Sequence, residues 1–369
     1  MGEGNVVEKP GDRVKQLMTE AGWSQAELAY VLGVTTATVN QVIHSKRPIT
    51  PEMAKLLGAA FDRPAEEFAD LQARWSLANA PEPDQEVRGR ALAQSTYPLR
   101  EMVKRGWIRD PKETGGAHGE LCRFFGVNSL ESVATSAHAA KKTGDSGPTG
   151  EQLAWLFRVR AIAKEMPTPA YSRAKLLDAI DQMSAMRLSP EEVRHVPRLL
   201  HEAGVRFVVV EALPGGKIDG VCTWLDAASP VIGLSLRFDR IDNFWFVLRH
   251  ECAHVLHGHG QSVAIIDSDI RPLETDVNEE EQIANQEAAD FCVPADKMLS
   301  FYRRKNPFFS DVDVRAFAKL NHVHPGLVVG QLQHLTGEFR NLRQYLVSVR
   351  KLVTSSALTD GYGQFVPVG

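Results

Sequence analysis

Between residues 12 and 76 apolar positions recur at helical spacing. GDRVKQLMTEAG closes at Gly22, Ser24 opens SQAELAYVLG, and a turn through Gly33 and Val34 leads into TTATVNQVIHSKRP. PEMAKLLGAAF and PAEEFADLQARW complete five short helices, each opened by a proline suited to a first helical turn. Leu28, Val31 and Leu32 on the second helix and Val39, Val42 and Ile43 on the third are expected to share one core. APEPDQE, residues 80–86, is proline-rich and acidic and reads as a linker. Residues 88–204 read as helical, most clearly in GEQLAWLFRVRAIAKEM, AYSRAKLLDAIDQMSAM and SPEEVRHVPRLLHEAG, with KKTGDSGPTG (141–150) as an internal loop.

The period then changes. RFVVVEAL, GVCTWL and PVIGLSLRF are β-type runs bounded by Gly, Pro and Asp, so a small sheet precedes the segment HECAH at 250–254. That segment is expected on a helix beginning near Asp242 or Asn243 and ending at Gly258 or Gly260. Residues 275–352 read as helical again, and SSALTDGYGQFVPVG is expected to be loose. The pattern divides the chain into 1–78, a helical connector or interaction region 79–188, and a mixed helix and strand domain 189–369. Trp107, Trp155 and Trp245 are read as apolar anchors.

The bulk numbers narrow the classes. A chain of 369 residues with 43% hydrophobic content exceeds one ordinary core. A net charge of -4 excludes a generally polycationic nucleic-acid binder, so any DNA contact has to be focused. Four dispersed cysteines without a CxxC pair indicate neither a disulfide framework nor a cysteine-rich zinc module. With no apolar signal core and no membrane-length run, a cytoplasmic protein is expected.

On a helix, His250 and His254 lie one turn apart on one face and can reach a single ion. Glu251 stands beside the first of them, where a carboxylate can accept a proton from water instead of binding metal; this is the HExxH arrangement. Two core histidines four apart are the competing reading. A catalytic zinc takes three protein ligands, and EEEQIANQEAADFCVP supplies a candidate third: Glu281, Ala284, Asn285 and Ala288 form one helical face, a carboxylate above small residues that allow close helix approach. HECAH, EQIAN with Glu281 twenty-seven residues after His254, and the helix ending at Pro294 resemble the ImmA/IrrE family of bacterial metallopeptidases over roughly residues 190–340. The resemblance implies a zincin-like α+β domain, Zn2+ held by His250, His254 and Glu281, and Glu251 as general base. Glu287 departs from the family, which commonly has an aromatic there. His257 and His259 are read as capping or surface residues, and Cys252 as a small apolar group packed on the sheet.

In the N-terminal segment Thr36, Ala37, Thr38 and Gln41 are expected on the exposed side of the third helix. Short side chains admit such a helix to a major groove, Thr and Ala can meet a thymine methyl, and Gln can read adenine. Lys46, Arg47 and Gln25 suit phosphate. Residues 10–78 hold seven Lys/Arg against eight Asp/Glu, so charge alone does not separate this segment from a generic helical bundle. Residues 10–77 resemble the XRE (Cro/repressor-like) helix-turn-helix family, most closely antitoxins of the HigA type. That resemblance implies binding to a double-stranded operator as a homodimer.

Together these readings predict a multidomain, mainly α protein: a five-helix DNA-binding bundle, a helical connector and a zincin-like domain. The expected function is a transcriptional regulator whose zinc endopeptidase cleaves a regulator protein or the chain itself. A strand such as PVIGLSLRF at the sheet edge would align the extended substrate. The alternative is an antitoxin-like repressor whose metal domain senses or binds a partner, a toxin included, without turnover.

Overall fold

The computed structural model describes residues 8–82, 85–137, 140–142, 147–261, 264–268 and 278–364. It divides into two compact units, residues 1–85 and 86–369. Parts of the expected linker (83 and 84) and of the expected 141–150 loop (143–146) lie outside the described residues.

The first unit is five helices: α1 (Pro10–Ala21), α2 (Gln25–Leu32), α3 (Thr36–Ile43), α4 (Pro51–Phe61) and α5 (Ala65–Ala78). Local chemistry sets their ends. Ser24 and Glu27 form a reciprocal capping box on α2, and Thr35 and Thr50 cap α3 and α4. Pro51 takes the first position of α4, but Pro64 stands one residue ahead of α5 as its cap. The core unites Val14, Leu17, Leu28, Ala29, Leu32, Val39, Val42, Ile43, Leu57 and Phe68. Val31 is not in it and is 47% exposed. The inward stripe of α2 runs through Leu28, Ala29 and Leu32, which leaves Val31 on the flank.

The second unit is built on a six-stranded mixed sheet: β1 (Ala140–Lys142), β2 (Arg206–Val210), β3 (Ile218–Trp224), β4 (Pro230–Leu234), β5 (Ala264–Ser268) and β6 (Leu358–Asp360), in the order β1-β5-β3-β4-β2-β6. β2 runs parallel to β4 and β6, and β1 parallel to β5, while β3 is antiparallel to both β4 and β5. Both faces are covered, which explains strand sequences that are apolar at nearly every position. Phe207, Val209, Cys222, Ile232 and Leu234 face the core of helices Val196–Glu202 and Ile241–His257; Val208, Val210, Val221 and Val231 face helix Gly150–Lys164. That last helix comes close because β4 has glycine at 233, where a Cβ would stand 2.8 Å from Val159 Cγ1.

Segment 79–188, expected as a connector, is for much of its length part of this second core. Trp107 and Trp155 are buried, their indole N–H groups donating to Asp360 Oδ2 at 2.9 Å and to the Val210 carbonyl at 2.8 Å. Arg105 donates to the backbone carbonyls of Glu211 and Ala212. Within the expected 141–150 loop, Lys141 and Lys142 belong to β1, and Thr149 caps the helix that starts at Gly150.

Two further expectations fail. PVIGLSLRF is not an edge strand, because β4 lies between β3 and β2. The C-terminal segment is not loose: β6 pairs with β2, and the buried Asp360 carboxylate accepts from Arg158 and Trp107. Only residues 365–369 of it lie outside the described residues. Removing one partner of a buried ion pair strands the other charge, so Asp360→Ala is expected to cost about 3–5 kcal/mol. Urea unfolding followed by tryptophan fluorescence measures this, and the double variant Arg158→Met/Asp360→Ala should recover a large part of the loss.

Candidate functional site

Helix Ile241–His257 carries HECAH and ends at Gly258, whose left-handed φ of 72° closes the helix within the expected range. It packs along helix Glu279–Cys292, which is capped by Asn278 through the Glu281 amide. The facing stripe of the second helix is the predicted one: Glu281, Ala284, Asn285 and Ala288 are all buried, and the two alanines let the carboxylate approach the imidazoles.

Three proposed ligands meet. His250 Nε2 and His254 Nε2 lie 3.0 Å apart, and Glu281 sets Oε2 3.4 Å from the first and Oε1 3.4 Å from the second. A residue absent from the sequence reading joins them: Asp267 on β5, with Oδ2 3.4 Å from His250 Nε2 and 3.9 Å from His254 Nε2. The four ligand atoms lie within 4.8 Å of one another. A tetrahedral zinc with bonds of about 2.0–2.2 Å keeps its ligand atoms roughly 3.3–3.6 Å apart, so the set fits a single ion. His250 Nδ1 and both oxygens of Glu251 have no hydrogen-bond partner among the described residues, and all of these side chains are fully buried.

Burial and mutual charge perturb the titratable groups of the cluster. Burial opposes charge on His250, but Asp267 and Glu281 outweigh it and raise its pKa to about 9. Burial, then the neighbouring His250, lowers His254 to about 3. Burial and Asp267 raise Glu281 to about 7 against the pull of His250, and burial with Asp267 and Glu281 holds Glu251 well above the carboxylate range. A divalent ion would displace protons from such a cluster.

The surroundings hold the ligands in place. His259, expected at the surface or as a cap, folds back so that its Nδ1 is 3.0 Å from His254 Nδ1, while its carbonyl accepts from Trp224 Nε1 at 2.9 Å. An outer partner of this kind orients a ligating ring. Glu287 joins the two helices by accepting from Arg249 at 2.6 Å and meeting His257 Nε2 at 2.8 Å. An ion-pair clamp thus replaces the aromatic common in the resembled family. Cys252 is buried and takes no part in the cluster, its thiol pushed up to about 12 by burial.

In the first unit, Thr36, Ala37, Gln41, Lys46 and Arg47 are exposed, and Gln25 and Thr38 are half-buried. Gln25 Oε1 accepts from Asn40 Nδ2 at 3.1 Å, tying the start of α2 to α3, and Thr38 Oγ1 is 2.9 Å from the capping Thr35 hydroxyl. Gln25 and Thr38 are thus engaged within the bundle, while Thr36, Ala37, Gln41, Lys46 and Arg47 are open to solvent.

Comparison with known proteins agrees with this division. The helix-turn-helix family model matches residues 14–68, and the IrrE N-terminal-like domain matches residues 202–318. The HTH-type transcriptional regulator YddM of Escherichia coli (strain K12) is 31% identical over 72 residues, which is 20% of this chain and 77% of that protein. The chain belongs to the helix-turn-helix family. Behind that domain it carries an IrrE N-terminal-like domain. Among solved structures, Pseudomonas aeruginosa antitoxin HigA with the higBA promoter is 32% identical, covering 25% of this chain and 98% of that one at a TM-score of 0.20. Another Pseudomonas aeruginosa structure, in complex with 18-bp operator DNA, is 33% identical, covering 22% of this chain and 90% of that one at a TM-score of 0.21.

Asp267 escaped the sequence reading because one acid near the end of a short apolar strand, AIIDS, has no ligand spacing to anything; only strand pairing gives it neighbours. Gly220 escaped for the same reason. A Cβ there would stand 2.1 Å from Glu251 Oε1 and 3.0 Å from Val247 Cγ1. Overpacking of this kind costs about 1–3 kcal/mol. Gly220→Ala is expected to lose that much in urea unfolding, and Gly220→Ala in a Glu251→Ala background much less; equal losses in both backgrounds would refute the contact.

Proposed function

We propose that the chain is a DNA-binding transcriptional regulator whose second unit is a zinc-dependent endopeptidase, acting on a regulator protein or on the chain itself to relieve repression. The observation that carries the enzymatic half is the convergence of His250, His254 and Glu281, with Glu251 beside them and outside the ligand set. Bound there, zinc would supply Lewis-acid polarisation of a scissile carbonyl. Glu251, its oxygens free of other hydrogen bonds among the described residues, is available to take a proton from the attacking water and return it to the leaving amine. His259 and the Glu287 clamp keep the two imidazoles in register.

The regulatory half rests on the helix-turn-helix match and on the accessible face of α3. Thr36, Ala37, Thr38 and Gln41 would read base edges, and Gln25, Lys46 and Arg47 would bind phosphate. Because the segment is near neutral, a single half-site would be held weakly, and a homodimer on half-sites about one helical turn apart supplies the affinity. A second reading has its own support. Complete burial of the cluster and the presence of a fourth candidate ligand, Asp267, favour a repressor whose metal domain senses or binds a toxin or other partner without turnover.

Metal analysis is expected to give about one zinc per wild-type chain and to show loss in His254→Ala and Glu281→Ala; equal zinc in all three removes this site from consideration. Glu251→Gln should keep the metal and the operator binding and lose cleavage by about 10²- to 10⁴-fold. Terminal proteomics with a reporter of the chain's own promoter separates the readings, since identical fragments and regulation in wild type and Glu251→Gln leave the sensory repressor. In a salt titration of operator binding, Lys46→Ala should reduce the slope by about one and weaken all sequences, while Gln41→Ala should relax base choice.

A further inference from the structure

An extended peptide adds to a sheet by pairing with a strand edge. The strand bordering the cluster is β3, because Gly220 lies against the Glu251 carboxylate. That edge is taken. β5 runs antiparallel along β3, with Asp267 opposite Gly220, Ile266 opposite Val221 and Ile265 opposite Cys222.

Residues opposite one another in a ladder present their side chains to the same face. The Gly220 position faces the HECAH helix, so its partner Asp267 is delivered to the same side, whereas Ile266 and Val221 point to the opposite core. The register shifts between Ile218 and Gly220, leaving Asp219 as an extra residue. Asp219 is held by Arg237 at 2.7 and 3.2 Å. A bulge at such a place re-aims neighbouring side chains. Asp267 is fully buried at the end of this path, at distances from the imidazoles close to those of Glu281. The convergence of four buried ligand atoms within 4.8 Å of one another marks the cluster as a site that could hold an ion.

We propose that Asp267 is a fourth protein ligand to the metal, and that β5 thereby holds the centre closed with an internal strand in the position a substrate would take. Three protein ligands leave a coordination position open, whereas four close it. A peptide could then reach Glu251 only after β5 leaves the edge of β3. The inference rests on the metallopeptidase reading above and gives it a regulation: the chain is latent until something displaces one short strand.

The test uses the full chain loaded with Co2+ as a spectroscopic stand-in for zinc and titrated with acetohydroxamate. The wild-type visible spectrum is expected to stay unmoved, and that of Asp267→Ala to shift as the hydroxamate takes the vacated position. In competition with a chromophoric chelator, Asp267→Asn, which keeps the side-chain shape, should bind zinc at least about tenfold more weakly. Circular dichroism and operator binding are expected to match wild type in both variants. A wild-type spectrum that responds to hydroxamate as readily as that of Asp267→Ala, or a zinc affinity unchanged in Asp267→Asn, overturns the proposal while leaving the metal site standing. A wild type that takes up neither Co2+ nor zinc overturns both.

Discussion

Two imidazoles and three carboxylates are packed where almost no water reaches them, and the second unit is organised around that burden. Charged groups pay heavily for leaving water unless they are paired or bind metal. Every near neighbour serves one of those ends. Ala284 and Ala288 are small so that Glu281 can come close, Gly220 has no side chain so that Glu251 fits, and His259 turns back to hold His254. The perturbed protonation of His250, His254, Glu281 and Glu251 is the electrostatic signature of that packing.

The same burial carries a tension. On the proposed peptidase reading the cluster would have to admit a peptide, yet it lies beneath a strand. The sheet explains how both can hold: β5 pairs through only a few residues with β3, and its other neighbour is the three-residue β1. Such an arrangement is stable enough to occupy an edge, yet has little pairing to give up. The first unit is built the other way, with most of its polar side chains standing outward from a small apolar core. There caps and turns, rather than buried charge, set the geometry.

The helix-turn-helix face and the HExxH helix were legible because each is a local pattern. A capping serine, a left-handed glycine and apolar spacing of three and four fix a helix and its faces without reference to distant chain. Glu281 was legible for a related reason: its partners Ala284 and Ala288 mark a close-packed face within one helix. Val31 was misplaced because periodicity names a stripe wider than the one that packing uses. The C-terminal strand was missed because three residues give no period, and Asp360 becomes a core residue only where Arg158 and Trp107 arrive from elsewhere.

By itself, then, the sequence determined which helices form, where they stop, and which side chains share a helical face, since these follow from interactions within a few residues. Tertiary structure alone decided that β4 is central, that the 79–188 segment contributes to the second core, and that Asp267 and Gly220 stand at the histidine and carboxylate cluster. The physical reason is common to all three. Strand order and register bring together residues far apart in the chain, and a one-residue slip would turn Asp267 to the other face of the sheet.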